Sequence, residues 1–80
     1  MDNIVIYVRL PKNKDKNRRI VSFRMAERIP QDLVLALGGA IDGGQALFEI
    51  DDPLKKNALL NLERNIVLML KAHQYTPTFG

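Results

Sequence analysis

Two segments near the start of the chain alternate apolar and other residues with the period of a β-strand. One face of the segment 3–10 (NIVIYVRL) is wholly apolar: Ile4, Ile6, Val8 and Leu10. In the segment 19–25 (RIVSFRM), one face holds Val21, Phe23 and Met25, and the other holds Ile20, Ser22 and Arg24. Alternation of β-branched and aromatic residues predicts strands, and the long polar stretch between these two predicts an antiparallel hairpin.

The apolar stretch between residues 31 and 41 fits two structures. A short helix over 31–37 would begin after Pro30, which suits a helical first turn, and would end at Gly38 and Gly39. The alternative is a buried strand over 33–41, paired with residues 45–50 across a turn at Asp42, Gly43 and Gly44. The pattern favours the helix but leaves the strand open, and residues 46–50 form a strand in both cases.

A long helix is predicted after the third strand. Asp52 is a suitable N-cap and Pro53 suits the first helical position. An apolar stripe at helical spacing follows and continues to about His73: Leu59, Leu62, Ile66, Met69 and Leu70. A helix of this length would cover one face of a small sheet.

These elements predict an α+β fold in the order ββαβα. A basic β-hairpin and a third strand form a small antiparallel sheet, the long C-terminal helix covers it, and a short helix lies in the connection. Residues 1–74 form a single domain, since 80 residues leave no room for a second core. Residues 75–80 are expected to be a C-terminal tail.

The composition narrows the cellular setting. The chain has no cysteine, so neither disulfides nor thiolate metal sites are expected. The first residues lack the basic and apolar segments of a signal peptide, and the longest apolar run, 66–70, is too short to cross a membrane. The sequence therefore predicts a cytoplasmic protein without membrane contact.

Candidate catalytic residues are scarce. Ser22 lies within a strand pattern, and His73 suits a helix C-terminus better than a catalytic or ligating role. Three acids follow the third strand, Glu49, Asp51 and Asp52, but acids beside a turn are typical of a solvated edge. The glycines do not match a phosphate-binding loop. We therefore expect no enzyme, no cofactor and no metal.

Basic residues concentrate in and around the first loop. Five of the chain's twelve lysines and arginines lie between residues 11 and 19: Lys12, Lys14, Lys16, Arg18 and Arg19. Arg9 and Arg24 lie on the adjoining strands. A basic ribbon of this kind can contact nucleic-acid phosphates, which is the alternative function. Solvated lysines that keep a sheet soluble explain the same pattern, and no aromatic residue lies among them to stack on bases.

The long helix carries more apolar residues than one packed face requires. Away from the main stripe lies a predicted partner-binding surface: Leu60, Arg64, Val67, Leu68 and Lys71. The expected function is therefore a small non-catalytic regulatory or inhibitory module that binds a protein, either a foreign partner or a second copy in a homodimer. Compact cysteine-free accessory proteins of this size are common in phages and mobile elements, an analogy of size alone.

Overall fold

The computed structural model describes residues 2–11, 17–51 and 56–80. Within them the chain forms five strands and two helices: β1 (Asp2–Arg9), β2 (Arg18–Arg24), α1 (Gln31–Ala36), β3 (Ala40–Asp42), β4 (Gln45–Asp51), α2 (Lys56–Ala72) and β5 (Tyr75–Phe79). The strands make one sheet in the order β3-β4-β2-β1-β5. The α+β class is confirmed.

The three central strands follow the predicted pattern. β1 and β2 form an antiparallel hairpin in which Ile6 lies opposite Phe23, and β4 pairs antiparallel with β2. The expectation of a wholly antiparallel sheet is wrong, because β5 pairs in parallel with β1. The sheet is therefore mixed. The predicted order ββαβα is also incomplete, because it lacks the strands β3 and β5.

β5 corrects the expected C-terminal tail at residues 75–80. Since β4 and β1 both run antiparallel to β2, they are parallel to each other, and β5 runs the same way. Parallel strands need a crossover connection, and α2 provides it between β4 and β5. The long helix is thus an internal element. Its predicted cap at Asp52 and Pro53 lies outside the described residues.

Residues 31–42 combine the two structures that the sequence left open. The helix α1 is six residues long and ends before Gly38, whose φ of 89° is left-handed. A three-residue strand, β3, then pairs antiparallel with β4, as the alternative of a strand in this segment predicted. Gly43 and Gly44 have φ values of 56° and 79°, as a two-residue type I′ turn requires.

Both helices pack on the same face of the sheet. The buried core is a single cluster with members from every element except β3: Ile4, Ile6, Val21, Phe23, Ile29, Val34, Ala46, Phe48, Leu62, Ile66, Met69, Leu70 and Tyr75. Because side chains alternate along a strand, the remaining strand residues point to the opposite face. That face carries no helix within the described residues.

Candidate functional site

The uncovered face of the sheet has no packing partner among the described residues. We call it the open face; it consists of the strand residues that alternate with the core. Its middle is a row of neighbouring positions on four strands: Ala40 beside Leu47, Leu47 beside Ser22, and Ser22 beside Tyr7. The open face is therefore a continuous surface built from cross-strand neighbours.

The centre of the open face is apolar and partly exposed. Tyr7 is 50% exposed, and Val5, Ile20 and Leu47 are half-buried. Ser22 is only 1% exposed because it is a small side chain between two larger cross-strand neighbours. Large apolar groups that are gathered on one face and remain in partial contact with water are typical of a docking surface.

Charged side chains surround this apolar centre in two groups. The basic group lies on β1 and β2: Arg9, Arg18 and Arg24. The acidic group lies on β3 and β4: Asp42, Glu49 and Asp51. All six are exposed. Three cations and three anions give the open face no formal net charge, although the whole chain carries +3.

A concavity of about 760 Å³ opens where β1 begins and β2 ends. Arg28 forms part of its wall, with the guanidinium carbon 4.5 Å from the centre of the Tyr75 ring. The same guanidinium lies 3.3 Å from an Asp2 carboxylate oxygen, and the Arg28 backbone N–H donates to the Tyr75 hydroxyl at 3.4 Å. These contacts fix the loop after β2 against the sheet, so the concavity has an ordered wall.

The partner-binding surface predicted on the long helix is only partly assembled. Leu60, Arg64, Leu68 and Lys71 are exposed, and spacings of three and four residues place them on one side of α2. Leu60 and Leu68 are each 60% exposed, but Arg64 lies between them. Val67 is half-buried and packs against the core. The exposed part is therefore two separated leucines rather than a continuous apolar patch.

The residues predicted to contact nucleic acid do not lie on one surface. Arg9, Arg18 and Arg24 lie on the open face, where the acidic group accompanies them. Arg19 alternates with Arg18 and shares the parity of the core residue Val21, so it belongs to the covered side. Lys12, Lys14 and Lys16 lie outside the described residues.

The two edges of the sheet are poorly suited to pairing with another strand. β3 is three residues long. In β5 the Gly80 N–H donates to the Ile6 carbonyl at 2.9 Å, so the N–H groups of alternate residues point towards β1. Pro77 is at an intervening position, where the N–H would point outward, and proline has none. Short strands and edge prolines are common protections against edge pairing.

The open-face residues Tyr7, Leu47 and Glu49 were not selected from the sequence. The signal that could have found them is strand alternation: Tyr7 points away from the core face of β1 that holds Ile6, and Leu47 and Glu49 point away from the core face of β4 that holds Phe48. Within residues 2–11, 17–51 and 56–80, no group of three or more histidine or acidic side chains could hold a metal ion. In the same ranges no helix is both long enough and apolar enough to cross a membrane.

The fold and the open face define a two-layer α+β domain with one bare sheet surface. In comparisons with known proteins, no family model, no curated protein and no solved structure matches this chain.

Proposed function

We propose that this protein is a small non-catalytic binding module that docks a protein partner on its open face. The observation that carries the proposal is the composition of that face: a partly exposed apolar centre framed by equal numbers of acidic and basic side chains. Such a module regulates or inhibits by occupying a surface of its partner. It supplies geometry and charge, and it needs no reactive group.

The neutral open face favours a protein over a nucleic acid as the partner. Affinity for nucleic acid comes mainly from cations placed on phosphates, and nearby carboxylates oppose it. Here the three basic residues share the face with three acidic ones. A protein surface, by contrast, can pair with both signs while its apolar groups cover Tyr7 and its neighbours.

The open face is also a better docking surface than the long helix. Tyr7 lies diagonally across from Ile20 of β2 and two residues from Val5 on its own strand, and aromatic anchors contribute much of the binding energy in protein interfaces. The exposed leucines of α2 are eight residues apart, or about 12 Å along the helix axis, with Arg64 between them. Isolated exposed leucines are ordinary on protein surfaces.

A matched pair of variants tests the proposal. Tyr7→Glu and Leu60→Glu each put a carboxylate at a residue that is at least half exposed, one on the open face and one on the helix. Affinity capture from the native host should lose its partner with Tyr7→Glu and keep it with Leu60→Glu, while both variants melt close to the parent. Nuclease treatment should leave the captured partner unchanged.

Two results would contradict the proposal. If Leu60→Glu abolished capture and Tyr7→Glu did not, the binding surface would lie on the long helix. If nuclease released the captured material, the basic residues and the nucleic-acid alternative would explain the binding instead.

A further inference from the structure

The charges of the open face are separated across the width of the sheet. Acidic residues lie on β3 and β4, at one side of the central strand β2, and Arg9 lies on β1 at the other side. One row shows this clearly: Glu49 lies opposite Ile20, and Ile20 lies opposite Arg9. The central row, from Ala40 through Leu47 and Ser22 to Tyr7, carries no charge, and the rows that do contain an acid hold it on β3 or β4.

This separation makes the face complementary to itself in one orientation. A twofold axis parallel to the strands reverses the order of the strands across the sheet, so the acidic strand β4 of one copy covers β1 of the other, which carries Arg9. A twofold axis across the strands keeps the order and places like charges together. Twofold dimers use the same patch on both subunits, so only the first orientation suits this face.

We propose that the occupant of the open face is a second copy of this chain, packed sheet against sheet about a twofold axis that runs along β2. The proposal rests on the proposed function and names its partner. In this dimer β4 of each copy covers β1 of the other. Glu49 of each copy then faces Arg9 of the other, and the Ile20 residues meet near the axis.

Two further arginines, Arg18 and Arg24, lie on β2 and therefore near the axis. Asp51 is the cross-strand partner of Arg18, so the positive charge of Arg18 has a negative charge beside it within the same chain. Arg24 lies beside the uncharged Gln45 and is the position where like charges come closest. The dimer is therefore expected to be moderate in strength rather than tight.

The size of the face agrees with that expectation. Strands spaced about 4.8 Å apart make a five-stranded face about 24 Å wide, and strands of seven or eight residues make it about 25 Å long. The shorter edge strands reduce the flat footprint to about 500 Å², and side-chain relief increases the accessible area above that value. Specific interfaces bury about 800 Å² on each partner, so this one lies in the lower part of the range.

Edge-to-edge pairing is the other way in which a sheet associates with its copy. Here β3 offers only three residues, and Pro77 removes an outward N–H from β5. Face-to-face packing does not depend on those edges. The features that hinder edge pairing therefore leave the open face as the route to a dimer.

A charge-exchange experiment tests the dimer. Sedimentation velocity is run on the parent protein, on Glu49→Arg, on Arg9→Glu, and on an equimolar mixture of the two variants. The parent should dimerise with a dissociation constant in the micromolar range. Each variant alone should dimerise at least about tenfold more weakly, because like charges then face each other across the axis. Thermal melts of both variants should match the parent at concentrations well below the dissociation constant, where dimerisation adds no stability.

The mixture separates contacts between chains from contacts within a chain. A heterodimer of the two variants pairs arginine with glutamate at both contacts, so mixing should restore parent-like association. A parent protein that stays monomeric at millimolar concentration overturns the proposal, and so does a mixture as weak as its components. In either case the proposed function still stands if Tyr7→Glu prevents capture of a foreign protein.

Discussion

Gly39 lies so close to the core that its hydrogen atom cannot be replaced by a methyl group without a rearrangement. A Cβ atom built there would be 2.5, 2.7 and 2.9 Å from three ring carbons of Phe48. Phe48 is 2% exposed and stacks on Phe23 with 6.2 Å between the ring centres. Because Phe23 is also buried, the Phe48 ring has little room to retreat.

Gly39→Ala should therefore destabilise the fold by overpacking. Forced insertion of a methyl group into a packed core costs about 1–3 kcal/mol. A domain of this length has a total stability of roughly 4–12 kcal/mol, so the loss is a large fraction of it. Each 1 kcal/mol lowers the melting temperature by about 4–8 °C in a domain of this size. Thermal and urea unfolding, followed by circular dichroism, measure both quantities.

A double-mutant cycle identifies the cause. Phe48→Leu removes the ring and destabilises the protein by itself, but in that background Gly39→Ala should cost at least about 1 kcal/mol less, as expected for residues in contact. The neighbouring Gly38 is the control. Its φ of 89° makes Gly38→Ala costly through the backbone, yet no atom beyond the two adjacent residues lies within 4 Å of the added Cβ. Phe48→Leu should therefore not relieve the cost at Gly38.

The cycle would refute this reasoning in two ways. Gly39→Ala could melt within about 2 °C of the parent, which would mean that the core yields without cost. Alternatively, its penalty could be the same with and without the Phe48 ring, and then contact with Phe48 would not be its source.

Two further variants test the helix stripe and the sheet edge. Ile66 is fully buried, so Ile66→Ala should cost about 2–5 kcal/mol, whereas Leu60→Ala at an exposed position should stay within about 0.5 kcal/mol; equal melting temperatures would mean that the stripe is not the core contact of α2. Pro77→Val restores an outward N–H on β5, so light scattering on warming should show faster aggregation than for Thr78→Val, whose N–H points towards β1. Equal aggregation rates would mean that Pro77 does not protect this edge.

Local patterning was sufficient to predict the central elements. The core residues of β1, β2 and β4 recur at every second position, because one face of every central strand packs under the helices, although Ser22 on the other face of β2 is buried as well. The apolar stripe of α2 was also confirmed, since Leu62, Ile66, Met69 and Leu70 are buried. In these elements the pattern of burial and the secondary structure have the same period, so the sequence reports both.

The elements that escaped prediction lack such a pattern. β3 is only three residues long, too short to show alternation. β5 follows α2 after a reversal in which Gln74 has a φ of 66°, a conformation that glycine usually marks. Pro77 also weakens the prediction of β5, because proline within a run argues against a strand unless that strand lies at an edge. Pairing with β1, rather than local preference, makes these residues a strand.

The open face could also be predicted only in part from the sequence. The sequence assigned Ile20, Ser22 and Arg24 to one face of β2, and this is confirmed by the burial of Val21 and Phe23 on the other. It could not show that this face lacks a cover, because that depends on which side of the sheet α2 crosses. The locally unusual features of the sequence are the apolar surplus of the long helix and the basic loop, so the predicted binding residues lie there.

The topology explains why one face remains bare and why that matters for binding. β4 and β5 are parallel and separated by β2 and β1, so the helix joining them must cross the whole sheet on one side. The only other helix has six residues and packs on the same side, which leaves nothing in the described chain to cover the opposite face. The exposure of Tyr7 and its apolar neighbours to water costs free energy, and the six surrounding charges keep the face hydrated.

A partner that covers the centre and pairs with those charges would bury the apolar groups that this two-layer fold cannot bury with its own residues. The bare face is therefore the surface on which we propose that a partner binds.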